Sequence, residues 1–347
     1  MFWSRKRVDI GIIIFELTDA CNQSCRFCYN HFKGCNSEYK VEAPNFRMAR
    51  RTLRRLLSEA RVGQLSLTGG EPTLLPRIHD IVLLARAKGA NVALLTNGTL
   101  LTEDDIAIYK DLGLAAIQIP ILSHRSEHHD HITMLEGSWE RAMRSAKSIV
   151  TQNPKWLTPV FILSRLNIDD IEPTLDLYAS LGVKQIMLNR FNIGGLGRKY
   201  AEELNLSHEE LRDAFSRANR KLVELGMYAH NGVCTPMCLL NPKEYSNISF
   251  SYCTTDLAMR PLTINYRGDV RFCNHSPRVM GNIHQEPLTT ILQREAENKY
   301  FDTIPTPCDK CELWERCRGG CRAASEQLYG TFDNVDPVLE IGKKLEK

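Results

Sequence analysis

The chain of 347 residues lacks the long apolar runs that would place it in a membrane. No stretch approaches the ~20 consecutive apolar residues that a membrane-spanning helix needs. The apolar run after the basic N-terminal residues is interrupted by Asp9 and ends at Glu16, which is too short for a signal peptide with its cleavage site. We therefore expect a cytoplasmic protein that does not contact a membrane.

The chain also lacks a large excess of either charge. Its 44 Lys and Arg residues against 41 Asp and Glu residues give a formal charge of only +3. Proteins that coat nucleic-acid phosphates carry a marked basic surplus, so we expect no nucleic-acid partner. With 43% hydrophobic and 24% charged residues, the composition is that of a globular protein with room for one large domain and a smaller one.

Cysteine, by contrast, is abundant, with 12 residues. Cytoplasmic thiols stay reduced, so clustered cysteines indicate metal ligation rather than disulfides. Cys21, Cys25 and Cys28 form a CxxxCxxC spacing directly after an apolar run. A cubane iron–sulfur cluster normally takes four thiolates, so three of them leave one iron open to a small molecule that can receive an electron. Cys35, on a polar loop, is interpreted as a spare thiol.

Strand and helix patterns alternate between residues 10 and 226. Candidate strands cover residues 10–17, 64–68, 91–96, 115–121, 157–163 and 185–190. Candidate helices cover residues 46–61, 76–88, 102–112, 138–152, 169–181 and 207–225. Six strand–helix units predict a parallel sheet of the α/β class, either open or curved into a partial barrel.

Glycine-rich or polar segments follow the candidate strands, at the edge where the loops of a parallel sheet converge on a ligand. These segments are Gly69-Gly70-Glu71-Pro72 after the second strand, Thr96-Asn97-Gly98 after the third, Ser123-His124 after the fourth, and Asn189 to Gly197 at the sixth. Each alone could be an ordinary turn, but together they predict one shared mouth. The nearby His124, His128, His129 and His131 are interpreted as ordinary residues of a flexible loop.

The CxxxCxxC spacing followed by Tyr29, together with GGEP at 69–72, resembles the radical S-adenosylmethionine (radical SAM) superfamily. The resemblance implies a partial (β/α)6 TIM-like barrel, a four-iron cluster held by Cys21, Cys25 and Cys28, and SAM bound at the open iron. It also implies that reduction cleaves SAM to a 5′-deoxyadenosyl radical, which abstracts a hydrogen atom. The residues implied to bind the cofactor are Gly69, Gly70, Glu71, Pro72, Tyr29, Asn97, Ser123 and Asn189.

The alternation of strands and helices is predicted to stop near residue 227, and most of the remaining cysteines lie beyond it. Cys308, Cys311, Cys317 and Cys321 form a CxxCxxxxxCxxxC arrangement in a loop rich in Gly and Pro. Such spacing indicates a metal site. By itself it fits a structural zinc knuckle and an iron–sulfur cluster equally well.

Cys253, the GxxxxC motif that ends in Cys273, and the 308–321 arrangement together resemble the SPASM extension of radical SAM enzymes. The resemblance implies one or two auxiliary four-iron clusters. The first would be held by Cys253, Cys273 and Cys321, with Cys238 or Cys234 as a candidate fourth ligand. The second would be held by Cys308, Cys311 and Cys317.

The family pattern closes with a further cysteine, which this chain lacks after Cys321. Asp336 or Asp333 could complete the second cluster, an iron could stay open, or the site could be incomplete, and the sequence leaves these alternatives open. The domains implied are an N-terminal segment 1–9, a radical SAM barrel 10–226 and a SPASM domain 227–347.

The resemblance implies an enzyme that oxidatively modifies a C–H bond in a peptide substrate. Sulfatase maturation is less expected, because Asn274 stands where those enzymes have an aspartate base. A small-molecule or tetrapyrrole-modifying enzyme and a non-catalytic iron–sulfur electron carrier stay open as alternatives. The expected electron donor is of the flavodoxin or ferredoxin type. Since nothing before residue 10 is long enough for a leader-peptide domain, a peptide would need a separate recognition protein or direct docking.

Overall fold

The computed structural model describes residues 7–33, 41–297 and 303–345, and Cys35 falls outside these ranges. The strands within them are β1 (Val8–Glu16), β2 (Ala60–Thr68), β3 (Asn91–Leu95), β4 (Ala116–Pro120), β5 (Leu157–Leu163), β6 (Gln185–Arg190), β7 (Tyr228–Asn231), β8 (Ile248–Phe250), β9 (Pro261–Asn265), β10 (Asp269–Arg271) and β11 (Val279–Asn282). The helices are α1 (Phe46–Glu59), α2 (Ile78–Ala87), α3 (Glu103–Asp111), α4 (Ser126–Thr133), α5 (Ser138–Gln152), α6 (Ile171–Ser180), α7 (Ala201–Leu204), α8 (His208–Leu225), α9 (Leu288–Glu297), α10 (Trp314–Cys317), α11 (Arg322–Tyr329) and α12 (Val338–Leu345).

All of these strands belong to one sheet, in the order β11-β10-β9-β1-β2-β3-β4-β5-β6-β7-β8. Strands β1 to β8 pair in parallel, each with its neighbours in sequence. Strand β9 adds to the other side of β1, also in parallel, and β10 and β11 continue the sheet in antiparallel pairs. The predicted α/β architecture, with six parallel strand–helix units, is therefore confirmed.

The sheet differs from the sequence prediction at both of its ends. The alternation is predicted to stop near residue 227, but β7 and β8 extend the sheet beyond β6, and β9 pairs with β1. These added strands are short, and a run of so few residues gives no readable alternation of apolar and polar positions. The boundary at residue 227 stays a prediction, since the sheet itself runs through it.

The segment after β4 is a helix rather than the predicted flexible loop. Helix α4 buries His129, Ile132 and Thr133. Its only aliphatic side chain is that of Ile132, so the sequence carries no apolar repeat that would predict a helix there.

Helix α1 illustrates how local sequence sets the elements of this fold. Asn45 lies immediately before the helix, and its side chain accepts a hydrogen bond from Met48 N at 3.0 Å, which satisfies a backbone donor of the first turn. Its buried residues include Ala49, Leu53, Leu56 and Leu57. They recur every three or four positions, so they share one face that packs on the core, while the arginines between them point outward.

The middle of the sheet is apolar, and its polar groups collect at the strand ends. Ile13, Ile14 and Phe15 are consecutive in β1 and all buried, as expected for a parallel strand that is covered on both faces. The motifs that follow the strands therefore meet at the carboxyl edge. In the described ranges no helix is long and apolar enough to cross a bilayer.

Candidate active site

The three cysteines of the first motif lie close together in the loop after β1. The pKa of Cys25 is raised to about 12, chiefly by burial, with the Lys33 ammonium opposing the shift and the neighbouring Cys28 and Cys21 thiols adding to it. Burial also raises the pKa of Cys21. Gln23 spans the motif, since its Oε1 accepts from Cys25 Sγ at 3.2 Å and its N–H donates to Cys21 Sγ at 3.4 Å. Thiols this buried ionise when a cation binds them, so the site fits a metal cluster.

The glycines of the GGEP motif allow its backbone to touch the cysteine loop. Gly70 N donates to Thr18 O at 2.7 Å, and Glu71 N donates to Ala20 O at 2.8 Å. A Cβ atom on Gly69 would overlap the carbonyl oxygen of Thr18, and one on Gly70 would overlap that of Ala20. The two loops therefore form a cradle that only glycine permits, beside the predicted cluster.

The Glu71 carboxylate joins this cradle to the loop after β3. Its Oε1 accepts from Thr73 N, Thr73 Oγ1 and Thr96 Oγ1 at 3.0, 2.6 and 2.6 Å, and its Oε2 accepts from Asn97 N at 2.8 Å. Burial raises the pKa of Glu71, and these donors oppose the rise. Because Glu71 is 1% exposed, a cofactor contact at this position would be made by backbone groups rather than by its carboxylate. Pro72 starts the short 3-10 turn that follows.

The Asn97 side chain also contacts the cysteine loop. Its Nδ2 donates to Asn22 Oδ1 at 2.7 Å, and Asn22 Nδ2 donates to Thr99 Oγ1 at 2.8 Å. Asn22 lies between Cys21 and Cys25, so the loop after β3 is fixed directly to the cluster motif. The sequence analysis missed Asn22 and Thr99, because nothing in a linear motif reports a partner some 75 residues away.

Ser123 does not reach the surface of this site. It is 0% exposed, and its Oγ donates to Asp170 Oδ2 at 2.7 Å. Arg125 Nη2 lies 2.6 Å from Asp170 Oδ1, and His128 Nδ1 lies 2.8 Å from Oδ2. The structure therefore does not support a cofactor contact through the Ser123 hydroxyl. The partly exposed members of this network are Arg125 and His128.

Asn189, at the end of β6, is half-buried. Its Oδ1 accepts from Gly232 N at 2.8 Å, which holds the amide beside the end of β7. Its cofactor contact stays a prediction.

Tyr29 connects the first cysteine motif to the region around Cys273. Its hydroxyl accepts from Asn274 Nδ2 at 2.5 Å, and its ring centroid lies 5.0 Å from that of His275. Gln327 Nε2 donates to both Tyr29 O at 3.1 Å and His275 O at 2.6 Å. The residue after Cys28 therefore meets the residue after Cys273, which places the two cysteine regions side by side.

By their mutual effects on one another's pKa values, the later cysteines form two groups of four. The first group is Cys234, Cys253, Cys273 and Cys321. A hydrogen bond with Cys253 raises the pKa of Cys234, as do burial and the nearby charges of Cys253, Cys321 and Cys273. Cys321 also packs in one apolar cluster with Cys234 and Cys273, and Asn192 Nδ2 donates to its Sγ at 3.3 Å.

The second group is Cys238, Cys308, Cys311 and Cys317. Burial raises the pKa of Cys308, and the charges of the other three thiols raise it further. Burial likewise raises the pKa of Cys238, followed by the charge of Cys317. Of the two candidates for the fourth position of the first group, Cys234 is influenced by the thiols of that group and Cys238 by Cys317 and Cys311. The turn between Cys234 and Cys238 brings Cys238 toward Cys317, because Met237 N donates to Cys317 Sγ at 3.3 Å. Which of the two is a ligand of the first cluster stays a prediction.

Comparison with known proteins identifies the family. The model of the radical SAM superfamily matches residues 15–178, and the model of the SPASM iron–sulfur cluster-binding domain matches residues 253–321. The chain belongs to the radical SAM superfamily and carries a SPASM domain. A radical SAM/SPASM enzyme uses SAM, a radical SAM four-iron cluster and auxiliary four-iron clusters, so iron–sulfur is the confirmed alternative for residues 308–321.

Relatives of this radical SAM/SPASM chain span nearly its whole length. It is 25% identical to the PqqA peptide cyclase of Gluconobacter oxydans over 95% of this chain and 90% of the relative. It is 24% identical to the Fe-coproporphyrin III synthase of Methanosarcina barkeri over 96% of this chain and 88% of that protein.

Solved structures share the fold at low identity. Native anSMEcpe with bound AdoMet has a TM-score of 0.73 at 15% identity, covering 97% of this chain and 95% of that one. Streptococcus suis SuiB bound to the precursor peptide SuiA has a TM-score of 0.70 at 13% identity, covering 96% and 75%. These likenesses confirm the predicted α/β fold with its TIM-like partial barrel and C-terminal SPASM domain.

Asp336 is the partner of a buried arginine in this radical SAM/SPASM fold. Its Oδ2 pairs with Arg190 and accepts from Cys321 N at 2.8 Å, while its Oδ1 accepts from Val338 N at 3.0 Å. The carboxylate is 0% exposed and both of its oxygens are engaged. Ligation of the second auxiliary cluster by Asp336 would require these contacts to break, and it stays a prediction.

A second buried ion pair, Glu16 with Arg271, lies at the end of β1 beside the Tyr29 region. Asn30 Nδ2 donates to Glu16 Oε1 at 3.4 Å, and the Arg271 guanidinium lies 4.6 Å from the Phe32 ring centroid. The sequence analysis missed this pair too. Single Glu and Arg residues give no linear signal of a partner across the fold.

His129 gives the protein a pH-dependent stability. Burial lowers the pKa of His129 to about 4, below the ordinary value of about 6.5, although the Asp130 charge opposes the shift. Below pH ~6.5 His129 binds a proton in the unfolded chain but stays neutral in the folded protein. The free energy of unfolding therefore falls by about 1 kcal/mol between pH 7.5 and 5.5. Its Nδ1 accepts from Leu122 N at 3.1 Å. His129→Asn keeps an acceptor there without the titration.

We expect this variant to lose about 1 kcal/mol less than wild type over the same pH interval. Urea unfolding of the anaerobic holoprotein at both pH values measures the difference. Equal pH dependence in the two proteins would contradict a neutral buried His129.

Proposed function

We propose that this radical SAM/SPASM enzyme oxidises a C–H bond of a peptide substrate. The observation that carries the proposal is the 2.5 Å hydrogen bond between Tyr29 and Asn274. It brings the loop of Cys28 against the loop of Cys273. A substrate held between the two loops would lie near both cysteine regions, so that it could lose a hydrogen atom at the first and an electron to a cluster at the second.

The chemistry divides between the bound groups and the chain. When bound, SAM and its cluster supply the radical that takes a hydrogen atom, and the auxiliary clusters supply an acceptor for the second electron, with the proton going to solvent. The chain holds these groups apart at fixed positions. Cys21, Cys25 and Cys28 hold the first cluster, the Gly69 to Glu71 backbone cradles SAM, and Asn97 and Asn189 flank it. Together these residues would fix the positions of SAM and the cluster before the substrate binds.

The space near Tyr29 is polar. Asn274 and Gln327 connect the two loops through three hydrogen bonds, and the buried Glu16–Arg271 ion pair lies nearby. Asn274 cannot act as an aspartate base, which argues against sulfatase-type chemistry. A half-buried amide and hydroxyl suit the recognition of peptide N–H and C=O groups.

Two relatives support a peptide substrate. One is named PqqA peptide cyclase, and the SuiB structure contains a precursor peptide. The Methanosarcina barkeri relative, an Fe-coproporphyrin III synthase, has nearly the same identity and supports a tetrapyrrole as the second candidate. A flavodoxin- or ferredoxin-type donor and a separate peptide-recognition protein complete the proposal.

The substrate test uses anaerobically reconstituted protein with SAM and dithionite. Short peptides encoded beside the gene and an iron-tetrapyrrole precursor of Fe-coproporphyrin III are supplied in parallel, and products are identified by mass spectrometry. We expect a peptide to lose two hydrogen atoms, with one 5′-deoxyadenosine made for each product. Conversion of the tetrapyrrole to Fe-coproporphyrin III with no change in any peptide would replace the peptide proposal by the second candidate.

A further inference from the structure

The second auxiliary cluster lacks an assigned fourth ligand. Cys308, Cys311 and Cys317 are three thiols, whereas a four-iron cluster normally takes four. No cysteine follows Cys321 in the sequence. Among the residues that the structure describes, the candidates for the fourth ligand are a nearby carboxylate and a cysteine that precedes the SPASM motif.

The turn after β7 brings an earlier cysteine to this group. Met237 N donates to Cys317 Sγ at 3.3 Å, so the residue next to Cys238 contacts a thiol of the trio. Pro236 packs on the same loop, because a Cβ atom built on Gly320 would lie 2.7 Å from Pro236 Cδ. The thiols of Cys238 and Cys308 are also within electrostatic range of each other and of Cys317 and Cys311.

The two carboxylates are poorly placed for this role. Asp336 is buried, and its oxygens already accept from Arg190, Cys321 N and Val338 N. Asp333 is exposed, and its Oδ2 accepts from Thr331 Oγ1 at 2.7 Å in a local turn. Cys238, in contrast, is an exposed thiol on a loop that already contacts the trio.

We propose that Cys238 is the fourth thiolate of the second auxiliary cluster and replaces the closing cysteine that the chain lacks. Because Cys234 completes the first group, both auxiliary sites then have four thiolates. Neither has an open iron for a substrate, so their role is to carry electrons. Among the described cysteines, the open iron is then the one left by Cys21, Cys25 and Cys28.

Iron content tests the proposal independently of the substrate. Anaerobically reconstituted wild type is expected to bind about 12 irons in three clusters, and Cys238→Ala to lose about four of them or to convert one cluster to a three-iron form. Electron paramagnetic resonance should show the first cluster and its response to SAM unchanged. Asp333→Asn is the matched control and should keep its full iron content. Loss of iron in Asp333→Asn but not in Cys238→Ala would overturn the proposal.

A measurement on wild type decides the matter if the variant does not fold. Iodoacetamide is added to holoprotein and to protein stripped of iron, and the modification of Cys238 is located by peptide mass spectrometry, with urea-unfolded protein as the reference for full labelling. We expect at least tenfold slower labelling in the holoprotein. Equal labelling rates in the two forms would show that Cys238 is not a ligand.

Discussion

Replacement of Cys21, Cys25 or Cys28 by alanine is expected to abolish the cleavage of SAM. Each thiol is predicted to hold one iron of the cluster at which SAM would bind, and the motif contains no spare thiol. Under dithionite, 5′-deoxyadenosine should fall below detection in each variant. The auxiliary clusters should remain, because their thiols form separate groups.

Cys253→Ala is the matched control for this prediction. It removes a thiol of the first auxiliary group, so product formation should fall far more than 5′-deoxyadenosine formation does. Cys35→Ala should change neither 5′-deoxyadenosine formation nor product formation appreciably. Full retention of SAM cleavage in any one variant of the first motif would contradict the assignment of that cysteine.

Gly69→Ala is expected to destabilise the protein and to remove SAM binding. Gly69 has φ +147, and its new Cβ would overlap the carbonyl oxygen of Thr18, which belongs to the cysteine loop. Strain and overlap together cost at least about 3 kcal/mol. The thermal unfolding midpoint should fall by roughly 4 °C or more, and SAM affinity should fall with it.

Gly226→Ala distinguishes the cost of backbone strain from the cost of steric overlap. Gly226 ends α8 with φ +60, and a Cβ atom there would have nothing within 4 Å. Its cost should be only the backbone strain of about 1–2 kcal/mol, with SAM affinity unchanged. If Gly69→Ala were no more damaging than Gly226→Ala, the close approach of the two loops would not matter for the site.

The parts of the fold that the sequence predicts well depend on local patterns. Strands β5 and β6 and helix α5 match their predicted bounds, because apolar periodicity and flanking turn residues are encoded within each segment. The positions of the cysteine motif and the GGEP motif at one edge follow from the parallel sheet alone. Their mutual contact through Gly70 N and Thr18 O agrees with that expectation.

The parts that the sequence does not predict depend on distant pairs. Arg190 and Asp336 are 146 residues apart, and Tyr29 and Asn274 are 245 apart. Cysteine spacing likewise does not tell which thiols meet, since Cys234 and Cys238 are four residues apart yet belong to different groups. Side chains joined only by tertiary folding leave no periodic trace in the sequence.

The pairing of β1 with β9 also constrains the order in which the protein can be assembled. The strand at Val8–Glu16 lies between β2 and a partner at Pro261–Asn265, which the ribosome makes some 250 residues later. Until β9 has been made, β1, which precedes the Cys21 loop, therefore has no pairing partner on that side. The surroundings of the Cys21 loop can therefore be complete only after β9 has been synthesised.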